Sequence, residues 1–181
     1  AMETTKQTAE GKIRELLQEA FSGARVFQGG GNEILGTALQ GMTLEAATNA
    51  LQRLYPQFHI ADHAGWPKVY EKAQKGAPDA LKSVGDDGEP AKNPVCKSIL
   101  AFIAGGKKGI DIRKNFEGAT YGWPGDAVDG GLQVLLVAGL IRAQDEKGQT
   151  IDPKDLERKV IGKTMFKVES ATVSAAQRIQ I

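Results

Sequence analysis

The run Gly162-Lys163-Thr164 matches the last three residues of a phosphate-binding loop of the Walker A type. Such a loop also needs an earlier glycine, whose backbone amides help to wrap the phosphates, and it must lie between a strand and a helix. Glu157 occupies the position of that glycine, and its charge would repel a phosphate. The residues after Thr164 have the pattern of a strand. We therefore expect a turn before a strand, without ATP binding.

The two histidines of the chain, His59 and His63, are separated by four positions, with Asp62 between them. On a helix this spacing would place both imidazoles on one face, where they could bind a metal. Gly65 and Pro67 argue against a helix here, and the single cysteine lies far away in the sequence. No full set of ligands is identified, so we expect neither a metal nor another cofactor.

Two pairs of carboxylates have the chemistry of a general acid and base. Asp86 and Asp87 lie in a polar linker, however, whereas Asp126 and Asp129 lie near the start of a predicted helix, where the helix dipole favours negative charge. Neither pair predicts catalysis. The fragment is not expected to be an enzyme.

Three aromatic side chains, Trp66, Tyr121 and Trp123, are candidates for partner binding, because Trp and Tyr are enriched at interaction hot spots. Each tryptophan precedes a proline at a predicted helix start. The favoured interpretation of both indoles is therefore a hydrophobic staple that packs the helix entry, with a partner contact as the alternative.

Positive charge is concentrated in two stretches, 92–118 and 158–181, each with a net charge of +4, although the whole chain has a net charge of only +1. The candidate contacts to nucleic-acid phosphates are Lys107, Lys108, Arg113 and Lys114. The helix predicted over 124–138 contains no Lys or Arg and offers Gln133 as its one candidate base contact. We therefore expect at most weak, sequence-independent binding to duplex DNA.

The composition is that of an ordinary globular protein, with 181 residues, 41% hydrophobic and 25% charged. A single cysteine, Cys96, excludes an internal disulfide and is typical of a reducing compartment. The apolar runs are shorter than the roughly 20 residues that span a bilayer. We expect a cytoplasmic location and no membrane partner.

The first part of the chain has helical spacing with one change of period. Ile13, Leu16, Leu17, Ala20 and Phe21 predict an amphipathic helix that ends at Ser22-Gly23. A β-hairpin is expected over 24–37, then a helix capped by Thr43 and a third helix that begins after Trp66.

Asn93 and Pro94 predict the start of the first of three further helices, which a β-hairpin over 140–151 follows. This is the order of a winged helix-turn-helix, and 165–168 would add a strand. The predicted fold is α+β and mainly helical, with N-terminal helices and a small hairpin before a winged-helix-like subdomain. The predicted domains are 1–88, 89–170, and a truncated helix over 171–181, where Ser174 and Gln177 form a capping box.

Four long runs of the sequence have an unusual composition. They are Ala24-Arg25-Val26-Phe27-Gln28-Gly29-Gly30-Gly31, Leu54-Tyr55-Pro56-Gln57-Phe58 through Ala61-Asp62-His63-Ala64-Gly65-Trp66, Gly88-Glu89-Pro90 through Pro94-Val95-Cys96, and Tyr121-Gly122-Trp123-Pro124 through Asp126-Ala127-Val128-Asp129-Gly130. These runs resemble the C-terminal region of the large P-loop ATPase of the BREX bacterial phage-defence system. The resemblance implies a very large cytoplasmic protein, with its ATPase region elsewhere, that serves a complex of several components.

The leading hypothesis is a non-catalytic assembly or coupling module that binds other components of the defence complex and the rest of the parent chain. The alternative is a winged-helix module that binds duplex DNA weakly and without sequence preference. A third hypothesis, an enzyme fragment, is disfavoured by the incomplete motifs.

Overall fold

The computed structural model describes residues 2 to 169 and confirms an α+β fold with two antiparallel sheets. The described chain forms two compact units that divide between Leu54 and Tyr55. The elements of unit 1 are α1 (Met2–Ser22), β1 (Val26–Phe27), β2 (Glu33–Ile34) and α2 (Leu39–Leu54). Those of unit 2 are α3 (Trp66–Gln74), α4 (Pro94–Ile103), β3 (Lys107–Lys108), α5 (Gly109–Glu117), α6 (Gly125–Val137), β4 (Ile141–Gln144), β5 (Thr150–Ile151), α7 (Arg158–Ile161) and β6 (Met165–Val168).

The hairpin of unit 1 is confirmed, with Val26 opposite Ile34. Its turn contains Gly30 and Gly31 at φ values of 105° and 85°, which glycine adopts without steric cost. The next helix, α2, begins at Leu39 rather than at Thr43. Thr43 Oγ1 donates to the Leu39 carbonyl at 2.9 Å, so the predicted cap is wrong: this hydroxyl bonds back within the helix.

The predicted amphipathic helix is confirmed as α1, which ends at Ser22, but its apolar residues do not form a core. None of the 21 residues of α1 is buried, and Ile13, Leu16, Leu17 and Phe21 are each more than half exposed. Among residues 2–54 the buried hydrophobic side chains are Ile34 and Met42. Unit 1 therefore has helices of the predicted kind with very little core.

Unit 2 is built around α6. A β-carbon on Gly130 would lie 3.2 Å from the ring of Trp66 in α3, and one on Gly131 would lie 2.6 Å from the Cδ1 atom of Ile99 in α4. The two glycines thus let both helices approach α6 closely. As a result ten residues of α6 are buried, including Leu132 and Leu135.

The packing of α3 corrects the predicted domain boundary. Residues 85–90 were expected to separate two subdomains because they contain no apolar side chain. Trp66, Val69 and Tyr70 of α3 instead belong to the same core as α6. The polar segment is a surface link inside unit 2, and the division lies earlier in the chain, between Leu54 and Tyr55.

The helix signals of unit 2 are confirmed. Asn93 Oδ1 accepts hydrogen bonds from the amides of Val95 and Cys96 at 3.1 Å, and α3 and α6 begin within three residues of the predicted starts. The hairpin β4–β5 is also confirmed, as is the extra strand β6.

The sheet of unit 2 has the order β3-β6-β4-β5. Strand β3 was missed because its two residues, Lys107 and Lys108, have no apolar pattern. They become a strand by pairing with Phe166 and Met165 of β6, the last strand of the described chain.

Among residues 2–169, no helix combines the length and apolar character needed to cross a membrane. The predicted helix over 171–181 lies outside the described residues.

Candidate functional site

The side chains of α6 point into the protein along most of its length. Gln133 is fully buried, and its Nε2 donates to the Pro153 carbonyl. Asp129 is 4% exposed. The prediction that Gln133 could contact a base is therefore wrong, because the residue has no surface to offer.

Arg113, predicted to contact phosphates, is already engaged. Its Nε and Nη2 atoms each lie 2.8 Å from an oxygen of Asp129, and Nη2 also donates to the Arg158 carbonyl at 3.1 Å. A bidentate pair of this kind is strong and fixed in geometry. Arg113 is thus a structural tie between α5, α6 and α7, which the sequence could not show because Arg113 and Asp129 lie in different helices.

A second ion pair extends this tie. Arg158 pairs with Asp126 and also lies over the Tyr70 ring at 4.3 Å. Burial raises the pKa of Tyr70, whose hydroxyl donates to the Leu156 carbonyl at 3.0 Å.

The cleft beside these two ion pairs has a volume of about 750 Å³. It contains three cations and three carboxylates, so its charges give it no preference for an anion. Its charged lining residues are Arg113, Lys114, Glu117, Asp126, Asp129 and Arg158.

Both tryptophans proposed as partner contacts are enclosed in the core. Trp66 is 2% exposed and donates from Nε1 to the Ala61 carbonyl at 3.0 Å. Trp123 is 1% exposed, donates to the Gln57 carbonyl at 2.8 Å and stacks on Phe116 at 4.7 Å between centroids. Their role as partner contacts is therefore excluded in this structure, and the packing interpretation is the correct one.

Tyr121 is half-buried and meets the rings of Phe116 and Trp123 edge-on. The residue before it, Thr120, has a φ of 82°, which is costly for a β-branched side chain. The Thr120 carbonyl accepts from the Gln57 amide at 2.9 Å, which helps to hold the loop. Of the three aromatic residues proposed as partner contacts, Tyr121 is the one that keeps partial access to solvent.

Three predicted basic residues remain at the surface: Lys107 and Lys108 of β3, and Lys114 of α5, which we call the basic edge. Lys107 Nζ lies 5.4 Å from the centroid of Phe102. A groove of about 430 Å³ beside Phe102 includes Lys114 in its lining. Strand pairing also brings Lys167, a basic residue distant in the sequence, against Gly106 next to this edge.

The turn that resembles a phosphate loop is confirmed as a turn before a strand. Thr164 is buried, and its Oγ1 donates to the Val160 carbonyl at 2.9 Å, so the hydroxyl stabilises the end of α7. Lys163 is exposed, and β6 follows without a helix.

Both histidine rings hydrogen-bond to nearby backbone atoms. His63 Nδ1 accepts from the Gly65 amide at 2.9 Å, and His59 Nδ1 lies 3.0 Å from the Pro56 carbonyl. Within 2–169, His, Cys, Asp and Glu form no group of three or more suited to a metal ion.

Cys96 has no nucleophilic character at neutral pH. It is fully buried in α4, and burial, followed by the charge of Asp86, raises the pKa of its thiol to about 12. The thiolate is the reactive form, so the residue acts as a small hydrophobic side chain.

No family model, curated protein or solved structure matches this chain. Hypotheses about its function thus depend on the geometry of unit 2 and on the sequence resemblance described above.

Proposed function

We propose that this chain is a non-catalytic assembly or coupling module of a large P-loop ATPase of a bacterial phage-defence system. In this proposal the elements from α4 to β6 form a winged-helix-like part of unit 2, and this part links the ATPase to other components of the defence complex. The resemblance to the BREX ATPase suggests the system, and the packing of α6 suggests the mode of action.

The order of elements supports the winged-helix part of the proposal. Helices α4, α5 and α6 are followed directly by the hairpin β4–β5, as in a winged helix-turn-helix. Strands β3 and β6 enlarge the wing to four strands.

The enclosure of α6 is the observation that carries the proposal. In a winged helix that reads duplex DNA, the third helix enters the major groove and offers Arg, Lys, Asn or Gln to base edges. Here α3 covers that helix, Gln133 is buried, and Asp129 holds Arg113. A helix enclosed in this way supports a structural role in which other surfaces of unit 2 make the contacts.

A capture experiment tests the assembly role. The chain, immobilised, is offered the purified other components of the defence system one at a time. We expect one of them to be retained, with no ATP turnover by the chain alone. Tyr121→Ala should weaken capture if the partly exposed ring is a contact, and Tyr55→Ala, which removes a ring packed on Gly122, is the matched control. Retention of no component would contradict the proposal, as would ATP turnover abolished by Lys163→Ala.

Weak DNA binding is the second candidate, and the exposure of the basic edge favours it. Lys107 and Lys108 share a sheet edge, so their charges can approach phosphates without a recognition helix. We expect binding at low salt that disappears near physiological salt, because released counterions drive such binding.

Fluorescence anisotropy with two unrelated duplexes measures this candidate. Lys107→Ala with Lys108→Ala should reduce binding severalfold at low salt. Lys68→Ala with Lys72→Ala removes two exposed charges from α3 and should have little effect. Tight binding that survives salt and distinguishes the duplexes would instead favour a DNA-reading module.

A further inference from the structure

Helix α1 is long and apolar on one face, and it packs only slightly against the other elements of unit 1. It has 21 residues, and none of them is buried. Most of the stability of a protein helix comes from packing of its apolar face, and isolated helices are marginal in water. The face of α1 therefore requires a partner.

The spacing on this face is that of a coiled-coil seam. Ala9, Ile13, Leu16 and Ala20 follow one another at intervals of four, three and four residues. This alternation keeps one stripe facing a second helix. Leu17 and Phe21 widen the stripe on one side, and both are more than half exposed.

The charges beside the seam favour a second copy of the same helix. Lys12 and Glu19 border the stripe on the side opposite Leu17. In an antiparallel pair with Ile13 facing Leu16 of the second copy, Lys12 lies beside Glu19 of that copy. The twofold axis repeats this contact, so the surface complements itself. A parallel pair would instead place Lys12 beside Leu17.

The present partner of Lys12 does not oppose this exchange. Its Nζ lies 3.1 Å from Glu15 Oε2 within the same helix, and the two side chains are 66% and 72% exposed. Exposed pairs of this kind contribute little and rearrange readily.

We propose that α1 pairs antiparallel with α1 of a second copy of this chain, so that the protein is a dimer in solution through unit 1. The dimer places two copies of unit 2 in one assembly. This inference does not depend on the proposed function, because it concerns the mass of the purified chain and not the capture of another component.

Sedimentation velocity of the full chain over a range of concentrations tests the proposal. We expect the mass to rise with concentration from 19.3 kDa toward twice that value. Leu16→Glu should leave a monomer, because it places a charge in the seam. Gln18→Glu makes the same change of charge on the opposite side of α1 and should leave the dimer intact.

A charge exchange tests the orientation. Lys12→Glu should weaken the dimer about tenfold, and addition of Glu19→Lys should restore it, because the pair is then reversed in both copies. Circular dichroism of each variant reports whether α1 remains helical. A wild-type mass of 19.3 kDa at every concentration overturns the proposal, as does a dimer insensitive to Leu16→Glu. Failure of the second charge change to rescue the first overturns the antiparallel register.

Discussion

Helices α1 and α6 show how differently similar apolar residues are used in the two units. Ten residues of α6 are buried, whereas α1 buries none. Both helices contain leucine pairs, Leu16-Leu17 in one and Leu135-Leu136 in the other. The apolar spacing predicts the helix and its face correctly in both cases. It does not predict what covers that face.

The two helices differ in burial because the units differ in the number of elements that pack around a common core. In unit 2, α3, α4, α5 and the sheet all contribute to the core around α6. In unit 1, two helices and a two-stranded hairpin bury Ile34 and Met42. A region with so small a core depends on association for its stability, since burial has to offset conformational entropy.

The largest expected effect is that of Gly109→Ala at the start of α5. A β-carbon there would lie 1.9 Å from the Ile161 carbonyl oxygen, and backbone atoms cannot move aside easily. We expect a loss of more than about 4 kcal/mol in the free energy of unfolding. Urea denaturation followed by tryptophan fluorescence measures it, because Trp66 and Trp123 both report on unit 2.

Gly105→Ala is the control for this substitution, because its β-carbon would meet no atom within 4 Å. Equal stability of the Gly109 and Gly105 variants would show that α5 does not close against Ile161. The difference in packing between the large core of unit 2 and the small core of unit 1 would then be smaller.

The same substitution in the two units gives the most direct test of the comparison. Leu135 is fully buried, so Leu135→Ala should cost about 3 kcal/mol through lost contacts and a cavity. Leu44 in α2 is 68% exposed, and Leu44→Ala should cost less than about 0.5 kcal/mol. Thermal or urea unfolding followed by circular dichroism checks both. Similar costs would mean that the apolar face of α2 is covered in solution.

The smallest effect concerns the pH dependence of unit 2. The pKa of Cys96 is about 12 in the folded protein and 9.0 in its ordinary state, so the folded state holds the proton more tightly. The part of the free energy of unfolding that depends on this protonated thiol is fully present below pH 9 and is lost as the pH rises toward 12. At pH 10 the wild type should have lost about 1 kcal/mol more than Cys96→Ala. Parallel pH profiles of the two proteins would show the thiol to be accessible.

The local signals of the sequence predicted most elements of unit 2. Asn93 and Pro94 fixed the start of α4 because a cap acts within a few residues. Strand β3 was not predictable in this way, since Lys107 and Lys108 become a strand only through β6. The domain boundary failed for a related reason: a polar linker resembles a boundary when the contacts that cross it are distant in sequence.

The candidate site was predicted less well than the fold. Lys107, Lys108 and Lys114 are exposed, as a surface role requires. Arg113 and Trp66 cannot contact a partner. Arg113 is paired with Asp129, and Trp66 is buried between α3 and α6. Residue type identifies side chains able to bind a partner. Only tertiary structure shows which of them are already used within the chain.

The hydrogen bond from Tyr70 to Leu156 has a consequence for synthesis of the chain on the ribosome. It joins two residues that are distant in sequence, and α3 cannot complete its packing until the segment around Leu156 has left the exit tunnel. During that interval the Tyr70 hydroxyl lacks the carbonyl that accepts its hydrogen bond. Incompletely packed segments are where nascent proteins aggregate or recruit chaperones, so we expect the segment over 66–74 to benefit from that protection.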